Sequence, residues 1–150
     1  MRTDAFLLLS DAQAVTVDAV STNALALGAA GVDVGIGEPL AVVFVIDVAA
    51  DYTSGNETYK FAVRTATASD GTTGAVSIVE TPDIAGSALT AGTRFALLLP
   101  QNRIASTATH LAAFYDVTGT TPTVTVTAFV QPASMVQNDK YFASGFTVGA

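Results

Sequence analysis

Alternating hydrophobic and polar residues dominate the chain and predict β-strands. In residues 58–67, Tyr59, Phe61 and Val63 are apolar, whereas Lys60 falls on the opposite face. A period of two is that of a half-buried strand. The same pattern, or a short apolar run, predicts further strands at 75–80, 94–99, 109–117 and 123–130. Residues 10–23, SDAQAVTVDAVSTN, predict a first strand that ends in a Ser-Thr-Asn turn.

Residues 39–48, PLAVVFVIDV, differ from the other predicted strands because they are apolar at consecutive positions until Asp47. Such a run is typical of a strand that is covered on both faces. We therefore expect a second layer, either a terminal arm or a neighbouring subunit, over the outer face of this strand.

The turn signals between these segments favour an all-β fold. Gly-containing turns recur throughout the chain, and only residues 104–111 offer a weak helical period. About eight to ten short strands with Gly-rich turns predict an antiparallel sandwich or barrel. No repeat or Pro-rich linker divides the sequence, so we assign residues 1–150 to a single domain.

Composition and charge narrow the function. Half of the residues are apolar and 13% are charged, with six Lys and Arg against thirteen Asp and Glu, a net charge of −7. An acidic surface repels phosphate backbones, which argues against nucleic-acid binding. There is no Cys, and the longest apolar run, 40–46, is too short to span a bilayer. The apolar stretch at 5–9 is too short for a signal peptide, so we expect a soluble protein made in a cytoplasm.

The candidate catalytic residues form no convincing constellation, so we predict no catalytic residue, cofactor or metal. His110 is the only His, and Asp116 lies far along the same predicted strand face. The glycines of 35–37 lack the third Gly of a dinucleotide site. Asp33 and Glu38 are weak calcium ligands without an alternating Asp/Asn loop. The carboxylates that could form a glycosidase pair mostly fall in predicted turns, where Asp caps its own backbone: Asp33, Asp51, Asp70, Asp83 and Asp139.

A carbohydrate-binding β-sandwich domain is the alternative function. Sugar sites of this kind usually stack the sugar on an aromatic ring. The chain has no Trp, and most of its Tyr and Phe fall on predicted core-facing positions. These features argue against a lectin and leave it as the second hypothesis.

Four stretches carry a resemblance to a known family. They are residues 10–28 (SDAQAVTVDAVSTNALALG), 36–47 (IGEPLAVVFVID), 110–130 (HLAAFYDVTGTTPTVTVTAFV) and 141–150 (YFASGFTVGA). In these stretches the chain resembles the jelly-roll capsid cement, or decoration, proteins of tailed bacteriophages, of the Bordetella podovirus type. The stretches are strand and turn patterns distributed over most of the sequence.

The resemblance implies a jelly-roll protein on the outer surface of a phage head, made in the cytoplasm of the host bacterium. It would bind the major capsid protein and stabilise contacts between its subunits against the pressure of packaged DNA. It implies a homo-oligomer, with a dimer as the first choice and a trimer as the second. From the charge and the short apolar runs we expect no nucleic-acid or membrane partner. The alternative function is then a carbohydrate-binding β-sandwich domain of a phage tail or virion surface.

The two ends of the chain are the expected attachment arms, at about residues 1–10 and 131–150. Pro132 interrupts a central strand, and the alternation is lost over 131–139. Aromatic and Met side chains are favoured at interfaces. The predicted capsid or oligomer contacts are therefore Met135, Tyr141, Phe142 and Phe146. For Phe146 an alternative stays open, in which the last residues form a final strand and its ring fills the core.

Overall fold

The computed structural model describes residues 7–27, 39–136, 140–143 and 146–148. These residues form strands and short 3₁₀ turns, and they contain no α-helix, so the predicted all-β class is confirmed. Residues 104–111, the weak helical candidate, form a turn followed by the start of a strand. The strands are β1 (Leu8–Val15), β2 (Ala19–Val20), β3 (Leu25–Ala26), β4 (Leu40–Val48), β5 (Thr58–Ala66), β6 (Val76–Glu80), β7 (Ile84–Ala85), β8 (Arg94–Leu98), β9 (His110–Thr118), β10 (Val124–Pro132), β11 (Lys140–Ala143) and β12 (Phe146–Val148).

The strands form two sheets that pack face to face as a jelly-roll-like sandwich. The first sheet has the order β1-β10-β4-β8-β11-β12, and the second has the order β2-β9-β5-β6. The short strands β3 and β7 pair with β9 and β5 respectively. All pairs are antiparallel except β8 with β11, which run parallel. No helix in these ranges is long and apolar enough to cross a membrane.

Four aromatic rings join the two sheets at the centre of the core. Phe44 and Phe95 come from the first sheet, and Phe61 and Tyr115 come from the second. The ring centroids of Phe61 and Phe95 are 5.0 Å apart, and those of Phe44 and Phe61 are 5.4 Å apart. Tilted and edge-to-face pairs at these distances stabilise a core beyond the area that they bury. Phe61, a predicted core-facing residue of β5, thus meets rings from β4, β8 and β9 in one cluster.

The central strand β4 is covered on both faces, as its apolar run predicts. Val42 and Phe44 point into the core between the sheets. Ala41 and Val43 belong to a second apolar cluster on the outer face of the first sheet, which we call the outer cluster and which comprises Ala41, Val43, Ala96, Phe129 and Val136. Val136 follows a 3₁₀ turn (Ala133–Met135), so the chain after β10 supplies part of the cover.

The first strand differs from the one predicted for residues 10–23. β1 ends at Val15, and residues 16–18 turn the chain so that β2 joins the opposite sheet. Within β1, Ala12 has a positive φ of 44°, and the pairing with β10 shifts register on both sides of Ser10. A bulge of this kind breaks a period of two. The quoted stretch therefore contributes a strand to each sheet rather than one strand.

The end of β10 also differs from the prediction. Residues 131 and 132 were expected to lie beyond the strand, but Gln131 pairs with Ala41 and Pro132 pairs with Leu40. The pairing with β1 reaches only Phe129, so at its last residues β10 pairs with β4 alone. A residue without an N–H group is tolerated where a strand has one neighbour. Pro132 can therefore be the last residue of β10.

Candidate interaction surfaces

Met135 is the one predicted contact residue whose side chain lies within the described part of the structure. It is 54% exposed at the end of the 3₁₀ turn that follows β10. The backbone places Tyr141 and Phe142 on β11 and Phe146 on β12. Their side chains lie outside the described residues, so the predicted contacts at these three positions stay predictions.

The end of the chain extends the first sheet. Lys140, Tyr141 and Phe142 pair in parallel with residues 95–97 of β8, and β12 pairs antiparallel with β11. Residues 146–148 are thus a final strand, which is the alternative that the sequence left open for this segment. At the other end of the chain, residues 8–10 of the expected arm belong to β1.

Exposed large apolar side chains occur near both ends of the strands of the first sheet. Val48 ends β4 and pairs with Thr125, and Val17 lies two residues after Val15, which pairs with Val124. Both are therefore near the start of β10, whereas Met135 follows its end. Among the described residues, the exposed large apolar side chains are Val17, Val48, Tyr52, Val76 and Met135.

His110 has no catalytic partner in the described part of the chain. Its Nδ1 atom lies 2.9 Å from the hydroxyl oxygen of Thr109. Asp116 is six residues further along β9, which is roughly 20 Å in an extended strand. In the register of the second sheet, Asp116 lies opposite Lys60.

Two of the predicted turn carboxylates cap their own turns. Asp70 accepts hydrogen bonds of 2.9 Å from the backbone N–H groups of Thr72 and Thr73, and its other oxygen accepts one from the Thr73 hydroxyl. These bonds, with that of the Thr73 hydroxyl first, lower the pKa of Asp70. In the same way, the hydroxyls of Thr53 and Thr121 lower the pKa of Asp51.

The remaining turn carboxylates have other roles or lie outside the description. Asp83 lies 3.7 Å from the Nζ atom of Lys60 and forms an ion pair rather than the predicted cap. Asp33, Glu38, Asp139 and the glycines of 35–37 lie outside the described residues. Within the described ranges, no group of three or more His, Asp or Glu side chains is placed to hold a metal ion.

Glu57 is an unusual buried carboxylate that the sequence did not single out. The residue is 0% exposed, and neither carboxylate oxygen has a hydrogen-bond partner among the described residues. Gly119, at φ +126°, packs so closely that a Cβ there would lie 2.7 Å from the Cα of Glu57. The Gly86 N–H donates to the Glu57 carbonyl. Glu57 is therefore enclosed by turns that come from distant parts of the sequence.

A second unusual charge, Arg64, lies on the outer face of the second sheet. Its guanidinium carbon is 3.5 Å from the centroid of the Phe114 ring. Its Nε atom is buried and has no hydrogen-bond partner in the part of the chain that the structure describes. Burial lowers the pKa of the guanidinium. The alternation of β5 accounts for the outward position of Arg64, whereas the ring that it covers depends on the register between β5 and β9.

Comparison with known proteins assigns the chain to a family. The Bbp16 family model matches residues 9–130, from within β1 to within β10. The search of curated proteins gives no match. The matched range contains both sheets of the sandwich apart from the start of β1, the end of β10 and the strands β11 and β12. The chain therefore belongs to the Bbp16 family, whose name is that of a Bordetella phage protein.

Proposed function

We propose that this protein is a structural component of a phage virion, and specifically a capsid cement or decoration protein. It binds the outer surface of the head and stabilises contacts between subunits of the major capsid protein. The observation that carries the proposal is the family match over residues 9–130. Membership in a family named for a phage protein agrees with the resemblance of the sequence to phage cement proteins.

The physical character of the molecule supports this function. A sandwich whose two sheets share one aromatic core is a rigid body that can hold several contact points at fixed distances. Few charges and exposed apolar side chains at both ends of the first sheet suit contact with protein surfaces. A net charge of −7 keeps the protein away from DNA.

The proposal includes the following partners and location. The protein binds the major capsid protein and itself, as a dimer in the first instance or otherwise as a trimer. It acts without catalysis on the outer capsid surface, after synthesis in the cytoplasm of the host bacterium. Met135, Tyr141, Phe142 and Phe146 contribute to the capsid or oligomer contact.

Binding to empty expanded shells tests this function. Purified protein is titrated onto shells of the cognate phage that lack it, and bound protein is measured by co-sedimentation. We expect saturation at a fixed ratio to the capsid subunits. A glycan array and unexpanded shells serve as parallel samples. Protein that stays in the supernatant with shells but binds a defined sugar would replace this proposal with the carbohydrate-binding alternative.

A further inference from the structure

Arg64 lies on the solvent side of the second sheet and lacks a carboxylate partner. On β5 it pairs with Ser77 of β6 and with Ala112 of β9, so its direct cross-strand neighbours carry no charge. Phe114 is the diagonal neighbour on β9, and it receives the guanidinium on its ring face. Within the described ranges, Arg64 makes no ion pair and no side-chain hydrogen bond.

Lys60 shows what an ordinary cation does on the same face. It is four residues before Arg64 on the same strand, it lies 3.7 Å from Asp83, and its cross-strand neighbour is Asp116. Glu80 lies on the neighbouring strand β6, opposite Ala62 and thus close to Arg64 in the register, but among the described residues the two form no ion pair. Carboxylates are thus present on this side of the molecule, whereas the Arg64 guanidinium lies over the Phe114 ring of β9. The unpaired state of Arg64 is a local property of its position.

In energetic terms, the Arg64 guanidinium is better suited to bind a partner than to stabilise the fold. A partly desolvated charge without an acceptor is costly, and the aromatic ring offsets only part of that cost. In the alternative role, the methylene groups of the Arg side chain would cover the sheet and the guanidinium would have no function. That role would not require the guanidinium carbon to lie 3.5 Å from the centroid of a ring. A guanidinium positioned in this way keeps its planar fork, which can pair with a carboxylate through two parallel hydrogen bonds.

The surroundings of Arg64 are firm enough to hold the group in place. Ala62 and Ala112, which flank the ring in the register, are buried. The turn at Gly71 approaches from one side, where a Cβ would lie 2.8 Å from Val20 Cγ2 and 3.1 Å from Ala112 Cβ. A stacked guanidinium on a closely packed face loses little further freedom when an anion binds.

We propose that Arg64, stacked on Phe114, is a binding site for an Asp or Glu carboxylate of the major capsid protein. This inference rests on the proposed function and identifies one chemical contact within it. Arg and aromatic residues are the types that most often dominate the binding energy of an interface. A protein carboxylate is favoured over a nucleic-acid phosphate because the net charge of −7 repels a polyanion. A single carboxylate interacts mainly with charges within a Debye length of about 8 Å. The nearby guanidinium therefore outweighs the net charge of the protein.

The test compares Arg64→Gln and Arg64→Lys with Lys60→Gln in the shell-binding titration. Lys60→Gln removes the same charge from the same strand and face. We expect Arg64→Gln to weaken binding at least tenfold, and Arg64→Lys to weaken it as well, because an ammonium group cannot pair through a fork. Lys60→Gln should bind within about twofold of the unsubstituted protein. Phe114→Leu keeps the apolar cover, removes the stacking platform and is expected to weaken binding.

The outcomes separate this inference from the proposed function. If the unsubstituted protein does not bind shells, the proposed function is wrong, and so is the proposed contact with a capsid carboxylate. If that protein binds and folded Arg64→Gln and Phe114→Leu bind equally well, only the site at Arg64 is wrong. A substitution at Arg64 that changes the oligomeric state but not shell binding would place the carboxylate on a second copy of this chain, which also overturns the proposal.

Discussion

At the scale of single residues, the molecule places two charges where a folded protein seldom leaves them unpaired. Glu57 is enclosed without a hydrogen-bond partner, and Arg64 is stacked on a ring without an acceptor. Buried polar groups are nearly always hydrogen-bonded, so a buried group without a hydrogen bond requires an explanation. We assign Arg64 to binding. Glu57 is far more deeply buried, and its effect is expected on stability.

Replacing Glu57 by Met should stabilise the protein. The substitution keeps the length of the side chain and removes a carboxyl group that is buried without a hydrogen bond, which costs about 1–3 kcal/mol of stability. Urea denaturation measures the difference. Glu80→Met is the matched control, because Glu80 is exposed on β6 and its replacement should change stability by less than about 0.5 kcal/mol. A loss of several kcal/mol for Glu57→Met would mean that the carboxylate has a partner in the folded protein.

At the scale of elements, β4 is the strand on which both layers of the molecule depend. Its inner face joins the aromatic core, and its outer face joins the outer cluster. Predicted coverage on both faces is confirmed for Ala41, Val42, Val43 and Phe44, all of which are buried. Val45 is half-buried, and the strand is exposed at Asp47 and Val48. The same strand thus offers a deeply buried and an exposed Val for comparison.

Val43→Asp should unfold the protein or make it insoluble. Val43 is 0% exposed between Ala96 and Phe129, so the new carboxylate would be buried without a partner at a cost of several kcal/mol. Val48→Asp, at a position that is 58% exposed on the same strand, should leave the melting temperature within a few degrees. Circular dichroism during heating distinguishes the two variants. A soluble Val43→Asp protein with an unchanged melting temperature would show that the outer face of β4 is open to water.

Removal of residues 137–150 tests the last two strands as an attachment segment. Every described member of the core and of the outer cluster precedes residue 137, so the shortened protein should still fold. Because it lacks Tyr141, Phe142 and Phe146, we expect it to lose binding to shells. Far-ultraviolet circular dichroism reports on folding, and co-sedimentation reports on binding. Failure to fold would make β11 and β12 part of the essential sandwich, and undiminished binding would remove the segment from the interface.

At the scale of the whole molecule, the sequence predicts what depends on local periodicity and misses what depends on distant contacts. The alternation in β5 placed Tyr59, Phe61 and Val63 correctly in the core. The bulge at Ala12 and the extension of β10 to Pro132 depend on which strands are neighbours, and local patterns do not contain that information. The turn caps of Asp51 and Asp70 are local, and they were predicted.

The two unusual charges could not be predicted for the same reason. Glu57 is enclosed because Gly119 and Gly86, which are 62 and 29 positions away in the sequence, allow their turns to approach it. Arg64 meets Phe114 because the register of β5 with β9 makes them diagonal neighbours. Both arrangements follow from the way that the sheets are assembled.

The proposed strengthening of a phage head can be tested through the thermal stability of shells. Expanded shells that lack the protein are heated with and without a saturating amount of it, and their disruption is followed by light scattering and calorimetry. We predict that bound protein raises the disruption temperature by several degrees, with an increase that saturates when the binding sites are full. Shells that bind the protein at a fixed ratio but break at the same temperature as shells without it would show that the protein does not strengthen the head.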